Sequence, residues 1–107
     1  MILTVNEVKT HLRVESDEED AYIAGLIAQA QAAAEDFCRV SFEPVTTVDG
    51  TGEEVTSAVP EPVRLAVLLM VSHYFENRDN PDRAVYGTMR IAFENLLYPY
   101  RDPDQMF

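Results

Sequence analysis

The sequence predicts a mainly α-helical fold, a small bundle of about four helices with an irregular or β-hairpin arm between the second and third. Apolar residues recur at helical spacing in several segments, and helix-capping residues precede them. Residues 40–59 instead combine Val, Thr, Phe and Pro with a Gly-containing turn, which is typical of paired strands. The 107 residues, 47% of them hydrophobic, suffice for one core. We therefore expect a single helical domain at residues 1–101 and a C-terminal tail at residues 102–107.

Two capping sequences predict the first two helices. Thr4 followed by Glu7 is a capping box, in which each side chain accepts a hydrogen bond from an amide at the helix start. Ser16 and Glu19 repeat this spacing at the start of a second, longer helix that should end at about Arg39. Its apolar face is expected to consist of Ile23, Leu26, Ile27, Ala30, Ala33, Ala34, Phe37 and Cys38.

A third helix is indicated by Pro60 and Pro62, because proline is tolerated in the first turn of a helix. Apolar residues between Val63 and Phe75 occupy nearly every face of this helix. A helix that is apolar all round is usually buried, so we expect the others to pack around it. It should end near Asn77.

A fourth helix is predicted after a turn at residues 78–82, which are rich in turn-forming types. Gly87 precedes an apolar pattern from Met89 to Leu97 with helical spacing. Pro99 should end this helix.

The charge of the chain limits its possible partners. Acidic residues number 19 and basic residues 8, which gives a net charge of -11. A protein that holds DNA statically needs clustered Lys and Arg to neutralise phosphates, and anionic membranes attract the same residues, so neither is an expected partner.

Cys38 is the single cysteine, which excludes an intrachain disulfide and favours a reducing cytoplasm. No apolar run reaches the length of a membrane span.

No catalytic, cofactor-binding or metal-binding residue is predicted. The acidic residues 15–20 lack the glycine-containing spacing of a calcium loop and are better explained by helix capping. His11 and His73 lack the partners of a zinc site, and a packed histidine is the better interpretation of His73. Cys38 is expected to act as a small buried hydrophobe. Residues 49–52 lack the lysine of a phosphate loop and predict a turn.

Two sets of residues are candidate interfaces. Aromatic residues and arginine are enriched at interface hot spots, and they cluster at the C-terminal end, although a tail folded back on its own core explains the cluster equally well. This first set is Tyr98, Tyr100, Arg101, Met106 and Phe107. Alanines in the second helix allow close approach of a neighbouring helix or subunit, and with the start of the arm they form the second set, a candidate subunit interface. This second set is Ala30, Ala33, Ala34, Phe42 and Val45.

The order and spacing of these segments resemble one protein family. The segments that carry the resemblance are residues 3–14, the acidic residues 17–20 with the Ile- and Ala-rich helix after them, and residues 59–63, 73–78 and 96–101. The chain resembles the head-tail connector, or adaptor, family of tailed bacteriophages, whose members are also described as DNA-packaging proteins. Each segment alone is ordinary helix sequence, so the specificity lies in their order.

The resemblance implies a structural role without catalysis. It implies a ring, expected to be dodecameric in the virion and built from subunits that are monomeric in solution. The ring would dock on the portal protein and bridge it to a stopper or tail-completion protein, around a channel through which DNA passes without specific binding. The expected location is the head-tail interface of the virion, with the host cytoplasm before assembly. An alternative that fits the charge is an acidic binding module, a DNA mimic or an inhibitor of a host protein.

Overall fold

The computed structural model describes residues 2–43, 46–56, 59–78 and 82–101 and confirms the predicted fold class. Within these ranges the chain forms four α-helices, one β-hairpin between the second and third, and a terminal 3₁₀ turn. The elements are α1 Val5–Leu12, α2 Asp20–Cys38, β1 Thr46–Val48, β2 Glu54–Thr56, α3 Glu61–Glu76, α4 Arg83–Leu97 and the 3₁₀ turn Tyr98–Tyr100.

The start of α1 confirms the predicted capping box. Thr4 Oγ1 accepts a hydrogen bond from the Glu7 amide at 3.1 Å, and the Thr4 amide donates to Glu7 Oε1 at 3.2 Å. These two bonds satisfy amides that have no partner inside the helix. The helix ends at Leu12, and Arg13 follows in the left-handed conformation at φ 60°.

The predicted capping box at the start of α2 is wrong. Ser16 Oγ accepts from the Glu18 amide at 3.2 Å in a local turn, and α2 begins at Asp20 without a side-chain cap. The carboxylate of Glu19, which should have reached back to Ser16, pairs with Arg78 at 2.8 Å instead. A contact with α3's end therefore replaces the local capping pattern.

The third helix lies at the centre, as predicted. It packs against α1, α2 and α4, and Val63, Ala66, Val67 and Val71 on it are fully buried. Met70 on the same helix is also buried. The remaining core comes from the chain start and the other helices: Ile2, Leu3, Val8, Ile23, Leu26, Ile27, Ala30, Ala34, Cys38, Met89, Phe93 and Leu97.

The fourth helix begins earlier than the sequence indicated. It starts at Arg83, because Asp82 caps it: Oδ1 accepts from the amides of Ala84 at 2.8 Å and Val85 at 3.4 Å. Gly87 lies inside the helix, where glycine costs only about 1 kcal/mol relative to alanine. The end was predicted correctly, since Pro99 lies in the 3₁₀ turn that follows.

The arm is an antiparallel hairpin, one of the two predicted alternatives. Thr46 lies opposite Thr56 and Val48 opposite Glu54. Asp49 forms the turn, since its Oδ1 accepts from the amide of Thr51 at 2.8 Å, the hydroxyl of Thr51 at 2.6 Å and the amide of Glu53 at 3.1 Å. All of β1 is exposed, and neither strand packs extensively against a helix.

The molecule is flat and extended for its length. Its principal dimensions are 52 × 40 × 17 Å and its radius of gyration is 15.5 Å, whereas a compact domain of this size has a radius of gyration of about 13 Å. A thin molecule buries a smaller share of its residues, so large faces remain available for contacts with other chains.

Candidate interaction surfaces

The described part of the C-terminal segment folds back on α2 and presents one aromatic ring to solvent. The guanidinium of Arg101 lies 4.8 Å from the centre of the Phe37 ring and 5.9 Å from that of Tyr98. Tyr100 packs against the core, whereas Tyr98 is 58% exposed. Of the five predicted docking residues, Tyr98 and Arg101 therefore stack on each other and Tyr100 packs on the core. Met106 and Phe107 lie outside the described residues.

Cys38 lies beneath this cluster. Its thiol is fully buried and donates to the carbonyl of Leu97 at 3.5 Å. Burial raises the pKa of the Cys38 thiol, which keeps it protonated and unreactive.

The predicted subunit interface is divided between the core and the surface. Ala30 and Ala34 are fully buried in the chain's own core, where small side chains let neighbouring helices approach closely. They are therefore not part of the surface that a second subunit could touch. Ala33 and Phe42 are partly buried at the edge of the core, and Val45 lies outside the described residues.

An apolar groove of about 530 Å³ runs between α3 and α4. Val85 beside it is 45% exposed and Ile91 on the same helix 65%. Together with the apolar lining, the exposure of Val85 makes the groove a candidate contact site. The groove is lined by Leu69, Ser72, His73, Glu76, Asn77, Ala84, Val85, Thr88, Met89 and Ala92.

A second groove, of about 640 Å³, lies where α2, α3 and α4 meet. We call it the Arg-Tyr groove, because two arginines and three tyrosines lie along it, residue types enriched at interface hot spots. Its lining is Tyr22, Leu26, Gln29, His73, Tyr74, Asn77, Arg78, Asp82, Arg83 and Tyr86.

The two arginines of the Arg-Tyr groove differ in their surroundings. Arg78 pairs with Glu19 at 2.8 Å, and its guanidinium lies 4.7 Å from the ring centre of Phe75 and 5.5 Å from that of Tyr22. These contacts hold it in place. Arg83 is exposed and has no ion-pair or hydrogen-bond partner among the described residues. The groove thus carries one positive charge that is free to meet a carboxylate.

His73 is a packed residue, as the sequence indicated, although it is only half-buried. Its ring lies 5.4 Å from that of Tyr74 and 5.8 Å from that of Tyr86, and Asn77 Nδ2 donates to the His73 carbonyl at 2.9 Å. Burial, with a smaller contribution from Tyr86, raises the pKa of Tyr74. The wall between the two grooves is therefore an aromatic cluster.

The sequence did not reveal these grooves. Their α4 side begins with Arg83, Val85 and Tyr86, which precede the glycine after which the helix was expected. The signal that could have identified them is Asp82, a strong N-cap residue directly before an arginine and two apolar residues.

Two carboxylates near the start of α2 form ion pairs with Lys9, the single lysine of the sequence. Lys9 Nζ lies 2.5 Å from Asp17 Oδ1 and 2.9 Å from Asp20 Oδ1. Hydrogen bonding to these carboxylates raises the pKa of Lys9, and the same contact lowers the pKa of Asp17.

Across the ranges that the structure describes, no group of three metal-ligating side chains converges. None of the helices described there is both long and apolar enough to cross a bilayer.

Comparison with known families supplies an assignment. A family model described as "Phage gp6-like head-tail connector protein" matches residues 2–102. This range contains all of the elements above, including the arm and both grooves. No curated protein and no solved structure matches the chain significantly.

Proposed function

The chain belongs to the phage gp6-like head-tail connector family, and from this premise we propose that it forms a ring which docks on the portal and bridges it to stopper or tail-completion proteins. A head-tail connector is a structural component of the virion at the junction of head and tail, where it interacts with portal and tail proteins. The match over residues 2–102 is the observation that carries the proposal.

The shape of the subunit supports a ring. A molecule only 17 Å thick exposes two broad faces to its neighbours. When one contact between two different surfaces is repeated from subunit to subunit, a ring forms if the successive rotations add up to one full turn. The dodecameric ring and the monomer in solution remain predictions from the resemblance.

The charge of the subunit supports a channel that does not hold DNA. Its net charge is -11, and repeated acidic subunits around a channel repel phosphate. Exposed carboxylates with no ion-pair partner within the described ranges include Glu15, Glu18, Asp36, Glu53, Glu54 and Glu76. Duplex DNA added to assembled rings at physiological salt should show no change in fluorescence anisotropy. Tight binding would contradict the channel proposal.

We place the portal-docking surface at the C-terminal segment. Arg101, stacked between Phe37 and Tyr98, holds an exposed aromatic ring in one position, and rigid aromatics contribute strongly to binding when they are buried at an interface. Met106 and Phe107 follow directly in the sequence and complete the proposed surface.

Two variants test this surface without disturbing the fold. Removal of residues 102–107 leaves Tyr100 and Arg101 packed on the core, whereas truncation after Leu97 would uncover Phe37 and Cys38. Removal of residues 102–107 and Tyr98→Ala should each lower the fraction of chain that cosediments with portal rings. Tyr98→Ala should weaken the affinity about 30-fold, since a hot-spot truncation costs about 2 kcal/mol or more. Val85→Ala is the matched control, because it removes exposed apolar surface at the opposite end of α4. Unchanged binding by both test variants would contradict the assignment.

The acidic binding module is the competing function. It requires a monomer or dimer that occupies a basic groove on a host protein. A chain that never adds a ring to the portal but binds a basic host protein would support this alternative.

A further inference from the structure

We propose that the arm of one subunit docks in the Arg-Tyr groove of a second copy of this chain, so that arm and groove form the repeating contact of the ring. The inference rests on the proposed function, because it assigns the surfaces through which a ring would close. It concerns the contact between neighbouring subunits and is independent of the portal-docking surface at Tyr98.

The arm is built as an anchored base with a free tip. At its base, Glu35 Oε2 on α2 accepts from the Phe42 amide at 2.7 Å, and Gln31 Nε2 donates to Glu43 Oε2 at 2.6 Å. Beyond the base, all of β1 is exposed, and neither strand packs extensively against a helix. An isolated two-stranded hairpin is at best marginally stable in water, so a surface that receives the tip would stabilise it.

The tip of the arm is acidic with one apolar side chain. Asp49, Glu53 and Glu54 lie within six positions of one another, and the last two have no ion-pair partner in the described part of the chain. Val48 is 68% exposed. Gly52 in the turn adopts φ 87°, a conformation that favours glycine. The tip therefore offers negative charge and a small apolar anchor.

The Arg-Tyr groove offers a counter-charge to the tip. Its lining holds two arginines and one carboxylate, Asp82, whose Oδ1 is engaged by the amides of Ala84 and Val85 at the start of α4. Arg83 supplies an unpaired positive charge at its edge, on a chain whose net charge is -11. Arg78, stacked on Tyr22 and Phe75, lies close by, but its charge is already paired with Glu19. Tyr86 is 39% exposed and offers apolar surface to Val48. Opposite charges brought together in this way orient two surfaces and set their register.

The complementary surfaces lie on the same molecule but at different places, which favours a second copy as the occupant. A contact between two different surfaces of identical chains is head-to-tail and propagates around a ring, whereas a contact of a surface with itself stops at a dimer. The apolar groove between α3 and α4 has only Glu76 as a charged residue and offers no counter-charge to an acidic tip.

Cross-linking between engineered cysteines tests the contact directly. The native Cys38 is buried and does not compete. A Glu53→Cys chain mixed with an Arg83→Cys chain and a short bis-maleimide, on assembled portal complexes, should give a covalent dimer. Each variant alone should give none, because a head-to-tail contact never places two identical positions together. The mixed reaction should run roughly a hundredfold faster than the control pair Glu53→Cys with Arg39→Cys, since docked groups react at an effective concentration of about millimolar.

Charge reversal provides a second, independent readout. Arg83→Glu should reduce ring formation, and so should Glu53→Arg combined with Glu54→Arg. A mixture of the two variants should form more ring than either alone, because every interface of an alternating ring then pairs opposite charges. All three positions are exposed, and circular dichroism should show unchanged helix content.

The outcomes separate this inference from the proposed function. If electron microscopy shows a ring on the portal but the 53–83 pair cross-links no faster than the 53–39 control, the arm-groove contact is wrong and the connector function stands. If no ring forms on the portal, the proposed function fails, and this inference fails with it. Cross-linked dimers of either single variant would also overturn the head-to-tail contact.

Discussion

Two arginines end helices in a conformation that usually requires glycine. Arg13 follows α1 at φ 60° and Arg39 follows α2 at φ 61°. A side chain with a Cβ pays about 1 kcal/mol or more in this region. The Arg39 amide still donates to the Glu35 carbonyl at 2.8 Å, so the cap forms despite the cost.

Replacing Arg39 by glycine should therefore stabilise the protein. We expect Arg39→Gly to raise the free energy of unfolding by about 1 kcal/mol, because glycine adopts positive φ without strain. The measurement is urea denaturation followed by circular dichroism. Arg39→Ala is the control, since it removes the same side chain and keeps the strain. If both variants gave the same increase, the gain would come from the lost side chain.

The turn of the arm should depend on pH. Hydrogen bonds from the Thr51 hydroxyl first, and then from the Thr51 and Glu53 amides, lower the pKa of Asp49. The pKa of Asp49 is lower in the folded turn than in the unfolded chain, where it is about 4. The ionised carboxylate therefore contributes its full stabilisation at pH values above about 4. This stabilisation is lost as the pH falls through the lower folded value.

Amide chemical shifts of Thr51 and Glu53 should accordingly move together in an acid titration, at a midpoint below 4 that belongs to Asp49. Thr51→Val removes the largest contribution and should shift this midpoint upward. Equal midpoints in the two proteins would show that the Thr51 hydroxyl does not hold the turn.

At the scale of elements, the features that the sequence predicted correctly are those set by neighbouring residues, namely a helix cap and a turn. Thr4 and Glu7 specify the start of α1, and the turn around Asp49 specifies the hairpin. The starts of α2 and α4 were missed for different reasons. At α2, a long-range ion pair between Glu19 and Arg78 replaced the local cap. At α4, Gly87 was interpreted as a boundary although a cap lay five positions earlier at Asp82.

The packing of α4 gives a prediction with an internal control. Phe93 is fully buried, while Ile91 on the same helix is 65% exposed. Phe93→Ala should cost about 3–5 kcal/mol of unfolding free energy, much of the total stability of a small domain, which is about 5–15 kcal/mol. Ile91→Ala should change it by less than about 0.5 kcal/mol. A large cost at Ile91, measured by thermal and urea denaturation, would mean that the free chain already buries this face.

At the scale of the whole molecule, only part of the candidate site could be predicted. The C-terminal cluster was visible because Tyr98, Tyr100 and Arg101 are neighbours in sequence. The Arg-Tyr groove was not, because it joins Tyr22 of α2 to Arg83 of α4, and only the packing of α2, α3 and α4 against one another brings these residues together. The alanines of α2 show the reverse case: a small-residue pattern indicates close approach without saying whether the neighbour belongs to the same chain.

The flat shape and the negative charge, on which the ring and channel proposals rest, are both properties of the whole molecule. The carboxylates serve several roles: Glu7 caps α1, Asp17 and Asp20 pair with Lys9, Asp49 forms the arm's turn. The other exposed carboxylates leave a negative surface charge, which repels phosphate groups.

Electron microscopy of the portal mixed with this protein is the most direct test of the connector account. The account predicts an additional ring of density on the portal, coaxial with its channel, with one copy of this chain in each repeating unit and an open passage for DNA. Portal particles without added density, in a mixture where this chain stays monomeric or binds elsewhere on the surface, would contradict it.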